Sequence, residues 1–278
     1  MYAALCRAFA TPRPPGLAVE DLTVAANGRR VPVRVYRPRG AGPWPVLVYA
    51  HGGGWVLGGL DSHDAVTADL AARGDMAVIA VDYRLAPAHP FPAALDDVWA
   101  VVRHVAANPA AFAADPARLM VGGDSAGGNL AAAVCLRARA AGGPAICKQI
   151  LIYPELGLTI DQGEQALAPS APLLARGDLG VYWRAYLGDS ATTDDPLAAP
   201  LLTRDYTGLP PAYIAAAAHD PLRNDARVYA ERLRAAGGTV EVRIWPGLVH
   251  GFLRARGCCA EAEQAFDAIC DAAVRFPD

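Results

Sequence analysis

The sequence predicts an α/β fold built on a mostly parallel sheet, and three observations carry that prediction. Short continuous apolar runs at 46–50 and 76–81 have the character of strands covered on both faces. Stretches with apolar residues at helical spacing, 64–73, 93–107 and 126–141, alternate with such runs, and strand and helix in regular succession imply parallel strands joined by crossover helices. The composition, 53% hydrophobic and only 19% charged across 278 residues, supplies a large core.

Taken in order, residues 31–36 (VPVRVY) alternate as a half-buried strand, with about thirty residues ahead of it. The buried strand 46–50, the helix 64–73, the strand 76–81 and the helix 93–107 follow. Strands at 118–121 and 149–153 then bracket the helix 126–141. From 155 to about 207 the alternation fails, where Pro169, Pro172, Pro196 and Pro200 surround one aromatic helix at 179–187. This stretch reads as an inserted cap, joined by residues 1–25 at the start of the chain. The regular pattern resumes with a strand at 212–217, a helix at 222–236, a strand at 239–244 and a last helix at about 258–274. No internal repeat is evident, and the length suits a single domain, 1–278, with a lid.

Several chemistries are excluded early. With 25 basic and 28 acidic residues the formal charge is −3, so no basic excess exists to neutralise nucleic-acid phosphates or to hold a membrane surface. The uncharged stretch 40–60 is broken by Pro43, Pro45 and seven glycines, which argues against stable membrane insertion. Arg7 interrupts the N-terminal apolar stretch and prolines 12, 14 and 15 follow it, so a secretory leader is poorly formed and a cytoplasmic location is expected. The six cysteines contain no C-x-x-C pair and read as reduced core thiols. The one lysine, Lys148, cannot complete a phosphate loop, and neither G-x-G-x-x-G nor H-E-x-x-H occurs. No metal or organic cofactor is expected.

Among four serines, Ser125 stands apart in Gly123-Asp124-Ser125-Ala126-Gly127, after an apolar run and before a helical pattern. That is the strand-to-helix elbow in which a strained turn exposes a nucleophilic hydroxyl while flanking glycines let strand and helix approach. Upstream, His51-Gly52-Gly53-Gly54-Trp55 follows a strand, and consecutive glycines can present backbone N–H groups to a developing oxyanion. Gly52 and Gly53 are the expected donors, with Ala126 as a third. A serine needs a histidine base, and in an elbow-type site the order runs Ser, acid, His, which leaves His219 and His250. His250 is favoured because it follows a strand through a short loop, whereas His219 adjoins Asp220 and adjacent side chains rarely face each other. Asp220 closes the strand 212–217 and is preferred over Asp225 and Glu231, which lie within the following helical pattern. Helix capping by Asp220 is compatible with that role. Trp55, Tyr182, Trp183, Tyr186 and Phe252 are expected to line an apolar pocket, with ordinary cap packing as the competing reading.

These residues resemble the bacterial hormone-sensitive-lipase-like carboxylesterases. The resemblance rests on HGGGW at 51–55, DYRLAP at 82–87, HPFPAALDD at 89–97, GDSAGGNL at 123–130, DPLR at 220–223 and HGF at 250–252, in the family's order and from about residue 30 onward. It implies an α/β-hydrolase fold with an eight-stranded, mostly parallel sheet and a partial helical cap. It further implies a triad of Ser125, Asp220 and His250, and an oxyanion hole of Gly52, Gly53 and Ala126. Ala88 and Asn224 stand where many relatives carry an acid. The implied activity is hydrolysis of short- to medium-chain acyl esters through an acyl-enzyme. An amidase or formamidase using the same triad, or a non-catalytic small-molecule receptor, are the alternatives. The expected partner is a small-molecule ester, and a homodimer is compatible with the sequence.

Overall fold

The computed structural model describes residues 2–26, 28–157, 171–188 and 192–275. Eight strands form one sheet among them: β1 (Ala18–Ala26), β2 (Arg29–Arg37), β3 (Trp44–Ala50), β4 (Ala77–Val81), β5 (Ala114–Asp124), β6 (Lys148–Ile152), β7 (Ala212–His219) and β8 (Val240–Val249). Their spatial order is β1-β2-β4-β3-β5-β6-β7-β8. β1 pairs antiparallel with β2, and β2 with β4, while every pairing from β4 through β8 is parallel. The helices are α1 (Tyr2–Ala8), α2 (Leu60–Arg73), α3 (Ala93–Ala107), α4 (Ala126–Ala140), α5 (Arg176–Leu187), α6 (Arg223–Ala235) and α7 (Ala260–Val274).

The continuous apolar runs become central strands because both sheet faces are covered. In β3, Val46, Val48 and Ala50 pack toward a core that also holds residues of α3, α4 and α6. Leu47 and Tyr49 face the opposite core, filled from α2 and α7. A side chain taken fully out of water in such a layer is worth about 1.5–3 kcal/mol, so runs of this kind commit their strands to the middle of the sheet. From β3 the chain crosses by α2 to β4 on one side and returns by α3 to β5 on the other. That reversal opens a crevice at the carboxyl ends of the parallel strands, where open α/β sheets place their ligands.

Two expectations need correction. Residues 18–26 form β1 in the sheet, so they do not belong to a cap, and the strand expected at 31–36 is the second strand. Ahead of β1 the described residues hold one helix, α1, which contributes Tyr2 and Leu5 to the wall of the pocket beside Ser125. Of the stretch expected to form the inserted cap, 158–170 and 189–191 lie outside the described residues. The described part contains α5, tied to the body by the Phe91 N–H, which donates to the Tyr186 carbonyl at 2.7 Å.

Candidate active site

Ser125 sits at the turn from β5 into α4 with φ 55° and ψ −119°, a region L-residues rarely occupy. The turn is held by the Ser125 N–H, which donates to the Ile152 carbonyl at 2.9 Å. Glycine at 127 is a steric requirement here, because a Cβ at that position would overlap the Ala50 carbonyl of the adjoining strand. The Ala126 N–H opens α4, in the first turn where backbone donors have no intrahelical acceptor.

His250 follows β8 and Asp220 follows β7, both at the sheet edge that carries Ser125. His250 Nε2 lies 3.0 Å from Ser125 Oγ, and His250 Nδ1 lies 2.8 Å from Asp220 Oδ2. The second Asp220 oxygen accepts the Leu222 N–H at 2.8 Å, so this carboxylate also organises the entry to α6. With Asp220 buried and His250 mostly so, the chain Ser–His–Asp has the geometry in which a hydroxyl can be deprotonated as it attacks. His219 points away, exposed at the end of β7.

The glycine loop after β3 differs from expectation in one position. The Gly52 N–H is donated to Asp124 Oδ1 at 2.9 Å and is therefore not available to a substrate. The same carboxylate accepts the Tyr49 hydroxyl at 2.7 Å and lies 3.4 Å from His63 Nε2. Burial opposes ionisation of Asp124, yet His63, the Tyr49 hydroxyl and Arg254 hold its carboxyl below the usual carboxylate range. Gly53 and Gly54, by contrast, border the pocket beside Ser125 and Ala126. Gly54 has φ 60° and lies so close to Tyr182 that a Cβ would overlap its ring. His51, which opens the loop, is buried and its imidazole is pulled down to about 3, so it packs as a neutral ring against Tyr83 at 4.2 Å.

The pocket above Ser125 holds about 160 Å³ and is walled by Trp55, Leu174, Leu179, Tyr182 and Trp183, with Tyr2 of α1 at one side. Trp55 is fully buried and stacks on Tyr186 at 4.0 Å, which places Tyr186 behind the wall rather than in it. Phe252 is likewise not at the pocket surface. It is buried beneath the site, edge-on to Tyr153 at 4.9 Å, where it supports the ring that packs against His250. No group of His, Cys, Asp and Glu among the described residues is arranged to hold a metal ion.

A family model described as the alpha/beta hydrolase fold matches residues 47–254, a span that includes the glycine loop, Ser125, Asp220 and His250. The chain belongs to this family. A carboxylic ester hydrolase, LipN of Mycobacterium tuberculosis, is 44% identical over 257 residues, covering 90% of this chain and 68% of the relative. The carboxylesterase NlhH of the same organism is 43% identical, covering 86% of this chain and 76% of the relative. Among solved structures, an ester hydrolase from the metagenome of Lake Arreo superposes with a TM-score of 0.92 at 38% identity, covering 98% of this chain and 87% of that one.

Several residues of this hydrolase site carry no motif and were missed in the sequence. Tyr2 and Arg254 are 252 positions apart, yet Arg254 Nη2 donates to the Tyr2 hydroxyl at 2.6 Å at the side of the pocket. Glu155, Leu174 and Leu179 also border it. Only a folded chain brings these together, and the one available hint was the closeness of Arg254 to the HGF motif. Asn224 accepts from the Arg227 guanidinium at 2.8 Å one turn along α6.

Proposed function

We propose that this α/β hydrolase is a serine carboxylesterase that cleaves small to medium acyl esters through an acyl-enzyme intermediate. The observation that carries the reading is the continuous contact from Ser125 Oγ through His250 to Asp220, opening on an apolar pocket. Relatives named as carboxylic ester hydrolases and carboxylesterases support ester hydrolysis as the reaction.

In this mechanism His250 Nε2 takes the Ser125 proton as Oγ attacks the ester carbonyl, and Asp220 stabilises the imidazolium and fixes its tautomer. The oxyanion that forms is held by the amides of Gly53, Gly54 and Ala126. The alcohol leaves with the proton from His250, and the same imidazole then activates water to release the acid. Gly52 acts one step back: its bond to Asp124 fixes the loop that presents the other two glycine amides. The chemistry proceeds with protein groups alone.

The aromatic wall of Trp55, Tyr182 and Trp183 close to Ser125 supports small acyl groups. A chain-length series of p-nitrophenyl esters tests this, with kcat/KM expected to peak at or below about eight carbons, because each extra methylene is worth only about 0.8 kcal/mol where it finds apolar surface. A preference for long chains would contradict it. p-Nitroacetanilide, assayed beside the acetate ester, separates esterase from amidase. A cytoplasmic site of action belongs to the same reading and is supported by six cysteines of which none is paired. No helix among the described residues is long and apolar enough to cross a membrane.

A further inference from the structure

Two carboxyl groups that the mechanism does not use meet at the pocket wall, Glu155 at its border and Asp225 behind it. Glu155, on the loop after β6, is 3% exposed, and Asp225, in the first turn of α6, is 0% exposed. Asp225 Oδ2 accepts two backbone amides of that loop, from Leu156 at 2.9 Å and Gly157 at 3.1 Å. Its other oxygen and both oxygens of Glu155 are sealed from solvent and accept no hydrogen bond of ordinary geometry, with the Trp183 side chain and the Gly157 amide the donors nearest Glu155. The two side chains lie within hydrogen-bond reach of each other, with the Trp183 side chain of α5 beside Glu155.

Two carboxylates cannot both stay charged in such a place. Burial raises the proton affinity of each, the Asp225 charge raises that of Glu155 further, and the negative charge of Asp220 adds to both. A proton on one oxygen provides a donor inside the pair and gives the facing oxygen its acceptor bond. The position of the pair matters as much as its charge. The Glu155 N–H donates to the Ser125 carbonyl at 3.2 Å, Trp183 belongs to the cap helix, and Asp225 sits one turn beyond Asp220.

We propose that Glu155 and Asp225 share a single proton and act as a positioning unit that joins the Ser125 elbow, the Asp220 loop and the cap helix. Glu155 is a positioning residue and not a catalytic one, since its sealed carboxyl oxygens cannot touch substrate. The kinetic part of this inference rests on the esterase reading.

The test compares wild type with Glu155→Gln, Glu155→Ala and Asp225→Asn by p-nitrophenyl acetate turnover and by the infrared C=O stretch of protonated carboxyl groups at pH 7. Glutamine is neutral and carries the donor that the protonated acid provides. The wild type should show a protonated-carboxyl band that vanishes in both Glu155→Gln and Asp225→Asn, because the remaining acid then ionises against an amide. Glu155→Gln should keep kcat within about threefold. Glu155→Ala should lower kcat by roughly tenfold to a hundredfold with KM little changed, as expected of a misplaced nucleophile. A wild type without the band overturns the shared proton, and a folded Glu155→Ala enzyme with wild-type kcat overturns the positioning role. If circular dichroism shows that the alanine variant does not fold, the band and the retained kcat of Glu155→Gln decide. A folded wild type that turns over no ester refutes the esterase reading and the positioning role with it, while the band still reports on the proton.

Discussion

Ser125 is held in a backbone conformation that costs of order 1–3 kcal/mol for a residue with a side chain. The protein therefore gives up stability to aim one hydroxyl. Ser125→Gly should raise the unfolding free energy by about 1 kcal/mol, measured by urea denaturation, while abolishing turnover. Asp220→Asn should lower kcat by about 10⁴-fold with only a small change in KM, because asparagine leaves the imidazole in the wrong tautomer. Unaltered turnover in that variant would remove Asp220 from the triad. That Ser125, His250 and Asp220 meet was legible in the sequence because the elbow pentapeptide and the order Ser, Asp, His restrict the choice to few positions. The glycine loop was only half legible. Three consecutive glycines look alike in a sequence, and which amide faces the pocket is decided by the Asp124 carboxylate, 72 positions away, which takes the Gly52 N–H. Gly54→Ala must both adopt φ 60° and displace Tyr182, so kcat for p-nitrophenyl acetate should fall by roughly tenfold or more while Ser125→Gly-type stabilisation is absent.

At the scale of elements, the buried strands and amphipathic helices were readable because their periodicity is their own. α3 matches its expected range, and most other boundaries differ by one to four residues. β8 differs more: it runs through Pro246 and Gly247 to Val249, past the 239–244 expected, because pairing along β7 outweighs those breakers. β1 was missed because Glu20 and Asp21 interrupt its apolar pattern. Their partners lie on the neighbouring strand, where Arg34 is opposite Asp21 and donates to it at 2.6 Å, and Arg37 donates to Glu20 at 3.1 Å. Charges matched across a strand pair leave their signal in two segments, and neither segment shows it alone. α1 was hidden for a related reason, since its purpose is visible only where Tyr2 meets Arg254. Tyr2→Ala removes a wall of the pocket and should raise KM for p-nitrophenyl butyrate by about fivefold, the equivalent of roughly 1 kcal/mol of apolar contact, with kcat nearly unchanged. A KM equal to wild type would show that α1 does not face the substrate.

Across the whole molecule, the sheet gathers Ser125, Asp220 and His250 from the ends of β5, β7 and β8 onto one edge, and two cores hold that edge rigid. The same burial leaves a signature in the pH dependence of stability. The Glu155–Asp225 pair retains a proton in the folded state above the range where an unfolded carboxyl loses it. The folded state then binds more protons than the unfolded one, so this pair's contribution falls as pH rises above the ordinary carboxyl range, by up to about 1.4 kcal/mol per unit for one proton. Urea midpoints of wild type relative to Glu155→Gln should therefore decline from pH 5 to pH 8, and a constant difference would contradict it. The central claim is that Ser125 is the nucleophile of an ester hydrolase. It is tested most directly by the turnover of p-nitrophenyl acetate and butyrate by wild type and Ser125→Ala at matched concentration. The wild type is expected to release nitrophenol and the variant to show a rate indistinguishable from buffer. Equal turnover by both proteins, or none by a folded wild type, would contradict it.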